Sequence, residues 1–189
     1  MRTHRKSSLS VIFLILLFLT AKTFAAEHNP DWAEPVELEG VPNLHRVTPD
    51  FYRSAQPTAA GMKALEKFGI RTVISLRRFN SDRDELKGTG LSGIAIPMNT
   101  WDVEIEDVVR VLKVLQDKRG APYLLHCQHG ADRTGTMSAM YRIVLQGWSK
   151  EKAITEMTEG GFGYHSIWGN LIKLIEKSNV EEIKKRLQD

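Results

Sequence analysis

Residues 122–135 read Pro122-Tyr123-Leu124-Leu125-His126-Cys127-Gln128-His129-Gly130-Ala131-Asp132-Arg133-Thr134-Gly135. The run Pro122 to Cys127 has the length and apolar character of a buried strand. Beyond the loop, Met137, Met140, Tyr141, Val144 and Leu145 mark one helical face, and Gly147 ends it. A strand that turns tightly into a helix N-terminus is an anion site by backbone geometry alone. Loop N–H groups converge there, and the helix dipole adds partial positive charge.

The side chains of the loop suit the same purpose. The field that holds an anion also favours a thiolate at Cys127. Arg133 follows after five residues, so its guanidinium can return beside Cys127 and take two phosphoryl oxygens in a fork. Gln128, His129, Gly130, Ala131, Asp132 and Arg133 are the expected substrate-binding positions. Gly130 turns the backbone with no Cβ facing the anion, and Gly135 permits close helix packing. Thr134 can donate its hydroxyl to the Cys127 sulfur and ease that sulfur's departure. His126 is expected to face the core and hydrogen-bond the loop rather than transfer a proton, a role that demands reach to the leaving atom.

Working outward, Phe51-Tyr52-Arg53 reads as a short strand. Thr58 then caps a helix carrying Met62, Leu65 and Phe68 that ends at Gly69. Arg71 to Leu76 is β-branched and strand-like, Arg77 to Gly90 is a charged loop, and Gly93 to Met98 is another strand. Val108, Val111, Leu112 and Leu115 share a helical face that stops near Gly120. Ser149 caps a helix that runs out at Gly160-Gly161. The last helical region starts near Ile167, with a capping box at Ser178-Asn179-Val180-Glu181 that can restart it. Strands alternating with helices predict an α/β fold: a central, mostly parallel sheet covered by helices on both faces.

Residues 1–25 contain Arg2, Arg5, Lys6 and Lys22, an apolar run from Leu9 to Leu19, and small residues in Thr23-Phe24-Ala25. That is the pattern of a cleaved signal peptide, and the run is short of the roughly 20 residues of a membrane span. The expected organisation is a signal peptide over 1–25, an extended lead-in over 26–43 and one domain over 44–189, exported without a stable membrane anchor. Taking the four leader cations from the 26 basic residues leaves 22 against 23 acidic. The basic pI near 9.0 therefore comes from the leader, and no nucleic-acid partner is expected. Cys127 is the single cysteine, so no internal disulfide forms, and a free thiol in an oxidising compartment needs a function.

His126-Cys127, five residues, then Arg133-Thr134-Gly135 resembles the signature loop of the cysteine-based protein tyrosine and dual-specificity phosphatases. Tyr52-Arg53-Ser54-Ala55-Gln56-Pro57 resembles the opening motif of the bacterial and plant–fungal atypical dual-specificity branch. Met140-Tyr141-Arg142-Ile143-Val144, Gln146-Gly147-Trp148, Glu156-Met157 and Gly160-Gly161-Phe162-Gly163 are similar to periplasmic bacterial tyrosine phosphatases tied to biofilm control. The similarity spans roughly residues 44–165.

The resemblance implies a phosphocysteine intermediate on Cys127, no cofactor and no metal, and a general acid on a separate upstream loop. Asp102, between a strand and a helix, matches that loop best. Asp107 competes, with helix-dipole complementation as its alternative role, and Asp132 is a third candidate whose structural role is to orient the loop or a basic neighbour. The implied substrate is phosphotyrosine, or phosphoserine/threonine, on a protein or peptide such as the exported domain of a membrane protein, in the periplasm or outside a bacterial cell. Inositol phosphates are the alternative. The loop holds no lysine and Asp132 adds negative charge, which disfavours a polyanion, whereas Arg77 and Arg78 can flank the pocket. A sulfurtransferase does not require Arg-Thr-Gly after five residues, and a phosphopeptide binder need not keep Cys127 or Asp102.

Overall fold

The computed structural model describes residues 29–189, and the leader read over 1–25 lies outside the described residues. In chain order the elements are β1 (Glu34–Pro35), β2 (His45–Thr48), β3 (Phe51–Ser54), α1 (Ala59–Phe68), β4 (Thr72–Ser75), β5 (Ser92–Ala95), α2 (Ile105–Gln116), β6 (Tyr123–His126), α3 (Asp132–Gln146), α4 (Lys150–Glu159), α5 (Gly169–Lys177) and α6 (Val180–Arg186). The strands form one sheet in the order β1-β2-β3-β6-β4-β5. β3, β6, β4 and β5 pair in parallel, while β1 and β2 add an antiparallel edge. The sheet is mixed and mostly parallel, flanked by helices.

The two faces follow from strand alternation. Phe51, Ile74, Tyr123 and Leu125 join one core with residues of α2 to α6, including Val108, Leu112, Met137, Met140 and Ile175. Tyr52, Val73 and Leu124 point the other way and pack against Met62 and Leu65 of α1. Local signals set the helix ends. The Thr58 hydroxyl accepts from Gly61 N at 3.0 Å, Ser149 from Lys152 N at 3.1 Å and Asn179 from Glu182 N at 3.2 Å. Gly69 and Gly147 close α1 and α3 in the left-handed region.

The N-terminal stretch read as a lead-in is built into this domain. Its β1 pairs with β2, and Ala33, Val41 and Leu44 are buried. The backbone N–H of Ala33 donates to Glu156 Oε1 at 2.7 Å. Sequence reading missed β1 and β2 because only Val47 of β2 is buried, so an edge pairing leaves little periodicity to see.

β3, β4 and β6 end in register at Ser54, Ser75 and His126. Their carboxyl ends share one rim, the place where ligands bind in open parallel sheets.

Candidate active site

β6 delivers Cys127 to that rim, and α3 begins five residues later at Asp132. The loop between them turns at Gly130, whose φ is +70°. A Cβ there would sit 2.5 Å from Ser54 C and O and Ala55 N, so glycine is required both by its backbone angle and by the approach of the β3 terminus. The guanidinium of Arg53, buried at 1% exposure, donates from Nη2 to Gly130 O at 2.7 Å and lies 3.9 Å over the Phe162 ring. Burial pushes the Arg53 pKa down to about 10, partly offset by the charges of Glu156 and Cys127. Because a trans peptide sets C=O and N–H on opposite sides, drawing Gly130 O toward Arg53 turns the Ala131 N–H the other way.

Cys127 is buried. Gln128 and Arg133 line a cavity of about 200 Å3 with Arg77, Arg78, Phe79, Asn80, Asn99, Thr100 and Trp101. Arg133 Nη1 donates to Leu76 O at 3.1 Å and Met98 O at 3.2 Å. Among the described residues its Nε and Nη2 take no hydrogen-bond partner, which leaves the other edge of the guanidinium for an anion. Phe79 is 81% exposed and Trp101 64% exposed. Trp101 therefore lines the mouth and does not anchor its loop.

The other loop positions divide by orientation. His129 is exposed, with its ring 5.7 Å from that of His165. Ala131 is buried and its carbonyl accepts from Gly135 N at 2.8 Å, within the first turn of α3. Asp132 is buried and accepts from the His165 N–H at 2.9 Å, with the His165 ring 2.9 Å from its other oxygen. Its carboxylate is thus turned to a basic neighbour and is not a lining group of the cavity. The Thr134 hydroxyl is buried with no hydrogen-bond partner, so the contact to the Cys127 sulfur expected from sequence is not formed here. His126 is fully buried, with Nδ1 3.2 Å from Cys127 O and Nε2 2.6 Å from Asp82 Oδ2.

The two upstream acids also part ways. Asp107 is buried in the first turn of α2, where Oδ2 accepts from Glu104 N at 3.1 Å and Oδ1 pairs with Arg110. Both oxygens are committed to the helix. Asp102 is exposed and lines a neighbouring cavity of about 470 Å3, which shares Trp101 with the first. Among the described residues, no group of three or more His, Cys, Asp or Glu is placed to hold a metal ion.

Sequence reading did not single out Asp82 or Asn43, which touch this site from segments distant in the chain. A charged loop and a Pro-rich lead-in gave no periodic or motif signal for either.

The sheet, the strand–loop–helix at its centre and the cavity beside it place the chain in the protein tyrosine/dual-specificity phosphatase class. The family model described as DSP-PTPase phosphatase fused to NAD+ kinase matches residues 30–167, and the chain belongs to that family. It is 40% identical over 146 residues to the dual specificity protein phosphatase TpbA of Pseudomonas aeruginosa. That match covers 77% of this chain and 66% of the relative, just under two thirds of its length. The crystal structure of P. aeruginosa TpbA superposes with a TM-score of 0.76 at 35% identity, covering 85% of this chain and 98% of that one. A cysteine-to-serine variant of the same protein, in complex with phosphotyrosine, superposes equally well. The catalytic core of the Saccharomyces cerevisiae PP-IP phosphatase SIW14 shares the fold, with a TM-score of 0.68 at 22% identity over 79% of this chain and 93% of that one.

Proposed function

We propose that this protein is an exported phosphatase that hydrolyses phosphotyrosine on a protein or peptide through a phosphocysteine intermediate at Cys127. The observation that carries the reading is the cavity itself. Arg133, with Nε and Nη2 unbonded among the described residues, lines it together with Gln128 of the Cys127 loop, and so do the exposed rings of Phe79 and Trp101. A phosphate held by Arg133 and an aryl ring between apolar walls describe an aryl phosphate better than a seryl one. The phosphotyrosine complex of the TpbA variant supports the same reading.

In the proposed reaction the Cys127 thiolate attacks phosphorus in line, and a phosphorus–sulfur bond forms as the bond to the ester oxygen breaks. Asp102 protonates the leaving oxygen; Asp107 is unsuited because its carboxylate is bound into the helix terminus. Water then attacks phosphorus, gives its proton to Asp102, and releases phosphate and the thiolate. Loop N–H groups and Arg133 stabilise the equatorial oxygens throughout. The buried, unpaired Thr134 hydroxyl is available to the departing sulfur. Export rests on the leader pattern of residues 1–25.

A second substrate, an inositol phosphate, is favoured by Arg77 and Arg78 at the cavity. Hydrolysis of a phosphotyrosine, phosphoserine and inositol-phosphate panel separates the two, with Cys127→Ser and Asp102→Asn run alongside. The proposal expects phosphotyrosine to lead; turnover confined to inositol phosphates would replace it with the second reading.

A further inference from the structure

Three consecutive carbonyls of the signature loop are each held by a different donor. Gln128 O accepts from Gln56 N at 3.2 Å, His129 O from Asn43 Nδ2 at 3.0 Å, and Gly130 O from Arg53 Nη2 at 2.7 Å. In a trans peptide the N–H following each carbonyl points to the opposite side. Holding these three oxygens against the protein therefore turns the N–H groups of His129, Gly130 and Ala131 to the loop's other side. A run of N–H groups turned this way is an anion nest.

Of the three donors, Asn43 is the one with no local reason to be there. It lies outside the sheet, between β1 and β2, and its φ is +55°, in the left-handed region. Among the described non-glycine residues it alone has a positive φ, a conformation that carries a cost. From that conformation its amide bridges two carbonyls, His129 O and Phe162 O, both at 3.0 Å. An amide NH2 has two hydrogens and can serve both acceptors at once. Asn43 thus ties the signature loop to the Gly160–Gly163 turn. His45, two residues on, places its ring 4.7 Å from Phe162, and Phe162 in turn lies under Arg53. Arg53, the donor to the next carbonyl, thus shares a scaffold with Asn43.

We propose that Asn43 is a positioning residue of the phosphate site: its side-chain amide holds the His129 carbonyl so that the Gly130 N–H faces the phosphoryl group. This rests on the reading of the loop as a phosphatase site, and it adds a residue from the N-terminal segment to that site. Two variants separate a donor from a spacer. Asn43→Gly keeps the backbone angle and removes the amide. Asn43→Asp keeps the shape and replaces both N–H donors with acceptors facing two carbonyls.

The test is binding of inorganic phosphate to the full chain, followed by calorimetry and by amide NMR, with melting temperature as a check on folding. Wild type is expected to show its largest phosphate-induced amide shifts at His129, Gly130 and Ala131. Both variants are expected to bind phosphate about tenfold more weakly, as for a misaligned oxyanion donor, with Asp worse than Gly and kcat falling more than KM rises on a phosphotyrosine peptide. An Asp variant that binds phosphate as wild type does would overturn the proposal, as would wild-type amides at these three positions that ignore saturating phosphate. The phosphate measurements need no turnover. A protein that binds phosphate as described but hydrolyses no ester would therefore contradict the proposed reaction and leave the role of Asn43 standing.

Discussion

Asp82 Oδ2 and His126 Nε2 lie 2.6 Å apart, with both side chains out of solvent, directly behind the Cys127 loop. The opposite edge of the His126 ring meets the Cys127 carbonyl, so a residue from the charged loop after β4 braces the end of β6. Burial pushes the Asp82 pKa up, but the hydrogen bond and charge of His126, with Gln56 and Arg77, outweigh it and leave the group below its ordinary 3.8. A carboxyl with a lowered folded value contributes stability that is complete above the unfolded value and is lost as pH falls through the folded one.

Asp82→Asn is therefore expected to be less stable than wild type at neutral pH, by about 1–3 kcal/mol for one impaired buried hydrogen bond. The gap should narrow as pH drops below about 4, where the unfolded carboxyl begins to protonate. Urea midpoints from pH 3 to pH 7 measure this, and a gap of constant size across that range would contradict it.

Gly130→Ala should disable the loop. The positive φ alone costs about 1–2 kcal/mol, and the new Cβ meets the backbone of Ser54 and Ala55 at 2.5 Å, which cannot yield without moving β3. Phosphate binding and turnover are expected to fall together. Wild-type kcat/KM in this variant would show that the loop tolerates a different path.

Arg142 and Glu156 form a buried two-point pair, Nε to Oε2 at 2.9 Å and Nη2 to Oε1 at 2.7 Å, between α3 and α4. Glu156 Oε1 also takes the Ala33 N–H, so the pair pins the N-terminal segment as well. Glu156→Ala strands a buried guanidinium and should cost about 3–5 kcal/mol, readable by chemical denaturation. A loss below about 1 kcal/mol would place the pair among weak surface contacts instead.

Phe79→Ala and Trp101→Ala should raise KM for a phosphotyrosine peptide about tenfold, consistent with losing ring contacts of ~1 kcal/mol or more, and change phosphoserine turnover little. Asp102→Asn should lower kcat by about 10²–10⁴, the range for one general acid, and by much less for an ester whose leaving group needs no proton. Equal losses on both esters would remove Asp102 from the acid role.

What could be read from the chain depended on how local the signal was. Thr58, Gly69 and Ser149 end helices through contacts within three or four residues, so their caps were visible in sequence. The capping box read from Ser178 is off by one, because Asn179 caps α6 while the Ser178 hydroxyl donates to Ile175 O at 2.7 Å and closes α5. The β4 and β6 strands are buried on both faces and stood out as apolar runs. Asp82 and His126 are 44 positions apart, and Asn43 and His129 are 86 apart. Neither Asp82 in a charged loop nor Asn43 in a Pro-rich stretch has a pattern that marks its partner, so both emerged only with the fold. β1 and β2 were hidden for a related reason: an edge pairing is held mainly by backbone hydrogen bonds, which leave little side-chain pattern to read.

The central claim, that Cys127 is the nucleophile, is tested most directly by turnover of a phosphotyrosine peptide by Cys127→Ser beside wild type. The expected result is binding of the peptide with turnover reduced to background, because the serine hydroxyl is a far weaker nucleophile than a thiolate in the same loop. Turnover by the serine variant within about tenfold of wild type, a change too small for loss of a covalent nucleophile, would contradict the phosphocysteine route.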